Sequence, residues 1–269
     1  MQASAPIGIF DSGTGGLTVA RAVRELLPHE RIVYFGDLAH LPYGDKSTAA
    51  IQAYSVKICD VLLQQGCKVI LIACNSASAA AFELVKAYVG SRAKVMNVID
   101  PLVDYLRENM AGKRIGLIGT KQTVSSNVYA SKIDQLKKDI TLQSLATPLL
   151  VPMIEEGFIH NRVSQDIIDE YLSNAVLADI EALILGCTHY PLIKEEIRSY
   201  YKGGVEVLDS ATIVAASLKA LLEHHHLLNK GEEGGRDRFL VSDHTDAFEA
   251  STRLFFGQTI QLEKYPLWE

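Results

Sequence analysis

Apolar residues along the chain fall into two kinds of segment that take turns. Short strand-like runs, most of them continuously apolar, occupy residues 7–10, 31–35, 69–73, 95–99, 114–118, 141–145, 183–185, 205–208 and 239–242. Amphipathic stretches with helical spacing follow most of them, at 17–27, 48–65, 77–89, 102–110, 163–176 and 211–224. Apolar runs that do not alternate with polar residues fit strands buried on both faces. Strand then helix, repeated, predicts an α/β protein with mainly parallel sheets covered by helices.

The pattern also recurs at longer range. The stretch Ile7-Gly-Ile-Phe-Asp11-Ser-Gly-Thr14 is similar to Ile115-Gly-Leu-Ile-Gly119-Thr-Lys-Gln122, and each precedes a second run that ends at a cysteine. Those runs finish in Cys74-Asn75-Ser76 and Cys187-Thr188-His189. We therefore expect two similar α/β domains related by a pseudo-twofold, with the active site in the cleft between them. One would comprise residues 1–99 plus 210–269 and the other residues 100–209. Pro101 breaks the preceding strand and opens a helix at the first crossing, and the second lies near Asp209. The polar stretch 229–235 reads as a loop.

Composition narrows the partners. With 269 residues, 48% of them hydrophobic, the chain can bury a full core. A net charge of −6 lacks the basic excess that phosphate-backbone binding uses, so nucleic acid is not expected as a partner. No apolar run approaches the roughly 20 residues of a membrane span. Residues 1–6 lack a charged region followed by an apolar one, so a cytoplasmic location is expected. Four cysteines without close pairing read as reduced thiols rather than a disulfide framework. Cys59, within a helical pattern, and Cys67, leading into a strand, are expected to be small core residues.

Cys74 and Cys187 differ from these because each ends a strand, and parallel sheets bind ligands beyond the carboxyl ends of their strands. The same rule collects Asp11-Ser12 and Thr120 at that edge. A thiol has a reference pKa of about 8.5, and backbone amides at a helix start favour its thiolate. Helix starts are expected at Ser76 and Tyr190. Asp11 reads either as a helix N-cap or as a carboxylate that assists a thiol or a substrate ammonium. The glycine turn after it matches neither GxGxxG nor GxxxxGK[ST], so close backbone approach to a small ligand replaces a phosphate loop. His189 is placed as an acid/base assistant. The loop 41–47 ends in Ser47 as a helix cap, and its Tyr43 and Gly44 are positioned to close over a carboxylate. His224, His225 and His226 point around a helix rather than at one ion, so no metal site is expected.

Five segments together resemble the glutamate racemases of the cofactor-independent aspartate/glutamate racemase superfamily. They are Ile9 to Leu17 with Asp11-Ser12-Gly-Thr-Gly-Gly16, Leu41-Pro-Tyr43-Gly44, Ile72-Ala-Cys74-Asn75-Ser76, Val151-Pro-Met-Ile-Glu155-Glu-Gly157 and Leu185-Gly-Cys187-Thr188-His189-Tyr190. The resemblance implies interconversion of L- and D-glutamate by two bases, without cofactor or metal. Cys74 and Cys187 would flank the α-carbon, Asp11 would assist Cys74, and His189 with Glu155 would assist Cys187. Substrate binding would fall to Asp11, Ser12, Tyr43, Gly44, Asn75, Ser76, Thr120, Thr188 and His189. It further implies D-glutamate supply for peptidoglycan synthesis and a homodimer. Ser76 stands where the family usually has threonine, and the turn at Gly119 lacks a second glycine. An aspartate racemase, an amino-acid binding protein and a thiol redox protein are the competing readings.

Overall fold

The computed structural model describes residues 1–231 and 235–269; the part of the expected loop at 232–234 lies outside the described residues. Strands and helices alternate from the start: β1 (Ile7–Asp11), α1 (Leu17–Leu26), β2 (Ile32–Gly36), α2 (Thr48–Gln64), β3 (Val69–Ile72), α3 (Asn75–Val89), β4 (Lys94–Asn97) and α4 (Asp100–Asn109). A second series follows with β5 (Arg114–Gly119), α5 (Lys121–Ser125), α6 (Val128–Gln135), β6 (Thr141–Ala146), α7 (Leu150–Glu155), α8 (Arg162–Leu172), β7 (Ala182–Gly186), α9 (Lys194–Tyr200) and β8 (Glu206–Asp209). The chain then continues through α10 (Ser210–His224), β9 (Arg238–Val241), α11 (Asp246–Phe256) and β10 (Glu263–Lys264).

The strands make two sheets, ordered β10-β9-β2-β1-β3-β4 and β6-β5-β7-β8, and every pairing is parallel. The order 2-1-3-4 of the first series recurs as 6-5-7-8 in the second. β3 thus lies beside the central strand β1, and β7 lies beside its counterpart β5. Strands β1, β3 and β7 are buried along their whole length, as their uninterrupted apolar sequence requires. One buried cluster runs from Ile9 and Leu71 of the first sheet to Leu183 and Leu185 of the second, with Val214 of α10 and Phe255 of α11 between the helices. The two sheets therefore share apolar packing as well as a cleft.

Local chemistry sets the element ends. Ser47 accepts a hydrogen bond from the Ala50 amide at the start of α2, and Pro101 sits in the first turn of α4. Most expected elements are present with ends displaced by one or two residues. The helix expected over 163–176 stops at Leu172, because Asn174 accepts from the Val176 amide and restarts the chain as the 3-10 turn Ala175–Leu177. Asn127, at φ 55°, separates α5 from α6. His224 to His226 are exposed at the end of α10. Among the described residues no cluster of histidine, cysteine and carboxylate side chains is arranged to hold a metal, and no helix is long and apolar enough to cross a membrane. Cys59 and Cys67 lie buried in the core around α2, where burial pushes each thiol up to about 12.

Candidate active site

Ser12 beyond β1, Cys74 beyond β3, Thr120 beyond β5 and Cys187 beyond β7 all line one cavity. Tyr43, Gly44, Asn75, Ser76, Glu155, Thr188 and His189 complete the set of expected residues on its wall. Asp11 is the exception: it is fully buried behind Ser12 and does not line the cavity.

Cys74 is the N-cap of α3, and its Sγ accepts from the Ala77 amide at 3.4 Å. The thiol also donates to the Ser12 hydroxyl, 3.7 Å away. Burial, and after it the Asp11 charge, push this thiol well above its ordinary value; the Ala77 amide and Ser12 hydroxyl pull it down without overcoming them. The helix-start effect expected from the sequence is therefore present but outweighed. The balance favours the protonated thiol at Cys74.

Asp11 is not a helix cap. The N-cap of α1 is Gly16, with no side-chain bond, and Asp11 Oδ2 instead accepts from the Gly13 amide at 3.0 Å. Oδ1 is buried without a hydrogen-bond partner. An unmet buried acceptor costs about 1–3 kcal/mol, more when charged, so this oxygen calls for a cationic or N–H donor.

Cys187 has a different setting. No α-helix begins behind it: Pro191 and the residues around it form the 3-10 turn Tyr190–Ile193, which runs into α9. An imidazole takes the place of the helix. His189 Nδ1 is 3.6 Å from Cys187 Sγ, and its Nε2 is 3.0 Å from Glu155 Oε1. Burial opposes a charge on this ring, but Cys187 and then Glu155 outweigh it and raise His189 to about 10. The chain from Glu155 through His189 to Cys187 can carry and return a proton.

The glycine turn packs closely on the loop that carries the second cysteine. A Cβ on Gly15 would lie 2.4 Å from His189 Nδ1 and 2.7 Å from Thr188 Oγ1. The Thr18 hydroxyl donates to the Thr188 carbonyl at 3.0 Å, so this turn braces the second cysteine's loop. A Cβ on Gly44 would sit 2.8 Å from Thr120 Cβ, a second close contact across the cleft. Ser76 Oγ lies 2.9 Å from Thr120 Oγ1, which also caps α5 through the Thr123 amide. The shorter hydroxyl residue at position 76 keeps this link.

Two expected binding groups are partly committed. The Tyr43 hydroxyl donates to Asp37 at 2.7 Å, so this residue faces the cavity with its hydroxyl already engaged. Asn75 Oδ1 accepts from the Tyr129 hydroxyl at 2.8 Å, which leaves Nδ2 buried and without a partner. Asp37 and Tyr129 escaped the sequence reading. Asp37 follows β2, where the strand-end rule that picked out Asp11 applies equally; no sequence pattern marks Tyr129.

The Asp/Glu/Hydantoin racemase family matches this chain over residues 17–218. The glutamate racemase of Chlorobaculum parvum is 39% identical over 257 residues, covering 96% of this chain and 94% of that protein. The crystal structure of the Francisella tularensis glutamate racemase in complex with D-glutamate superposes with a TM-score of 0.92 at 38% identity, over 99% of both chains. That of the Thermus thermophilus glutamate racemase in complex with beta-chloro-D-alanine gives 0.88 at 39% identity, over 98% of both. With its matching fold and full-length similarity, the chain belongs to the Asp/Glu/hydantoin racemase family, among the glutamate racemases.

Proposed function

We propose that the chain interconverts L- and D-glutamate by exchanging the α-proton between two thiols, with no organic cofactor or metal. The observation that carries this reading is that β3 and β7, which hold the same place in the orders 2-1-3-4 and 6-5-7-8, each lead into a buried cysteine on the wall of one cavity. Cys187 takes the proton of the L isomer and Cys74 that of the D isomer. In either direction one C–H bond breaks as an S–H bond forms, and the opposite thiol gives up its proton to the other face of the carbon. Net charge is conserved, and each turnover leaves the two sulfurs with exchanged roles.

The surrounding groups fit these steps. From behind Ser12 the Asp11 charge attracts the substrate ammonium without touching it, and that ammonium offsets the Asp11 repulsion which, after burial, holds the proton on Cys74. The imidazolium of His189, held by Glu155, balances a thiolate at Cys187. Ser12, the unpartnered Asn75 amide, the Ser76 and Thr120 hydroxyls, Thr188 and the Tyr43–Gly44 backbone supply donors for the carboxylates and for charge that develops at the α-carbon. Asp11 and His189 thus act both on the thiols and on the bound ammonium or carboxylate. Residues 1–99 with 210–269, and 100–209, are the two domains on either side of this site. The D-glutamate formed would supply peptidoglycan synthesis in the cytoplasm, from a homodimer.

The test is circular dichroism on pure protein without pyridoxal phosphate or metal, starting from each isomer of glutamate and of aspartate. Glutamate turnover with α-deuteration in D2O is expected, with racemisation lost in both Cys74→Ala and Cys187→Ala. Turnover of aspartate alone, or α-exchange of both isomers left untouched by both substitutions, would sink the reading.

A further inference from the structure

Asp37 is fully buried, yet donors from four separate segments end on it. Tyr43 donates to Oδ2 at 2.7 Å, and Ser242, just beyond β9, donates to Oδ1 at 2.7 Å. Trp268, beyond β10, donates its indole N–H to the same Oδ1 at 2.8 Å, while His40 Nδ1 lies 3.0 Å from Oδ2. The indole ring is fixed edge-on to His40 and Tyr54, with centroids 4.5 and 5.4 Å away, and Lys57 Nζ lies 5.1 Å from its centroid. Burying a carboxylate is costly unless its lone pairs are met by donors. Here the donors join the end of the chain to Tyr43, which lines the cavity beside Gly44.

We propose that Trp268 is a positioning residue for the cavity: through Asp37 it holds the Tyr43–Gly44 turn in the place where the substrate carboxylate binds. The inference rests on the reading of that turn as a substrate wall. Trp268 and Ser242 touch no part of the cavity themselves. Their effect therefore falls on binding that the ground and transition states share, which is read in KM and not in kcat.

The test compares Trp268→Phe, which keeps the aromatic packing and removes only the N–H, with Ser242→Ala, which removes a second donor to Oδ1 together with the acceptor of the Ala39 amide. Each is expected to raise KM for both glutamate isomers about 3–10-fold, with kcat within about twofold of the parent. Hydrogen exchange at the Lys46 amide, which donates to the Tyr43 carbonyl, is expected to quicken in both variants. Unchanged KM and unchanged exchange in the two variants overturn the inference, as does a loss confined to kcat or to the thermal midpoint. If the parent protein fails to racemise glutamate, the functional reading fails, while the exchange contrast still judges the role of Trp268.

Discussion

Replacing Glu155 by glutamine keeps an acceptor 3.0 Å from His189 Nε2 but removes the charge. In the parent, His189 is raised to about 10, with Glu155 contributing after Cys187. A hydrogen bond to a charged group contributes about 1.5–3 kcal/mol, and Glu155 is 28% exposed, so solvent puts its effect near the lower end. About 1.5 kcal/mol corresponds to roughly one pH unit. The raised value means that His189 is protonated below about pH 10 and loses its proton above it, so its titration sets an alkaline limb. In Glu155→Gln that limb moves down by about one unit, while the ring stays protonated at neutral pH and kcat/KM at pH 7 falls less than about threefold. The assay is kcat/KM for L-glutamate by circular dichroism from pH 6 to 10.5. A limb that stays in place beside a loss of about 100-fold at pH 7 would refute the relay and put Glu155 directly on the substrate.

Gly15→Ala forces a methyl to within 2.4 Å of His189 Nδ1; overpacking of about 1–3 kcal/mol should lower kcat/KM roughly tenfold or more, measured with the same assay. Tyr129→Phe strips the donor from Asn75 Oδ1 and frees the amide to turn over, so KM should rise several-fold and the thermal midpoint should fall; unchanged values for both would show that the bond does not orient Asn75. Lys68, fully buried, donates to Glu30 Oε2 at 2.5 Å and to the Leu227 carbonyl at 2.9 Å, so Lys68→Met should cost about 3–5 kcal/mol in urea unfolding by leaving Glu30 buried and unpaired. The double variant Lys68→Met with Glu30→Met should recover much of that loss.

What was legible in the sequence was whatever a short stretch encodes by itself. The apolar runs marked the inner strands, and their ends marked both cysteines, because a parallel strand covered on both faces is apolar throughout and hands over to polar residues at its carboxyl end, whereas the half-exposed edge strand β6 carries Gln143 and Ser144. Helices α5, α6, α7 and α11 and strand β10 were missed, and α9 begins four residues after the expected Tyr190: α5, α6 and α7 are five to eight residues long and β10 only two, too short to show a period, and α11 follows a polar stretch that hides its start. The turn after Cys187 misled because Pro191 favours a helix start in general, and here the chain tightens into a 3-10 turn first. Asp11 looked like a cap because it precedes a helix, but four residues separate it from Gly16, room enough for a turn of its own. Asp37 was invisible as a hub because its partners sit at positions 40, 43, 242 and 268.

The two thiol settings are unlike: a carboxylate stands behind Cys74, and an imidazole with its own carboxylate stands beside Cys187. Mirror-image reactants have equal free energy in water, so the equilibrium ratio is one whatever the protein does. Under the proposed exchange, kcat/KM must then be the same from either enantiomer, and any substitution must change both by one factor. The unlike surroundings cannot favour one hand of the product. They decide only which sulfur carries the proton between turnovers, and therefore which enantiomer meets an enzyme ready to receive it and which meets one that must first return to that state.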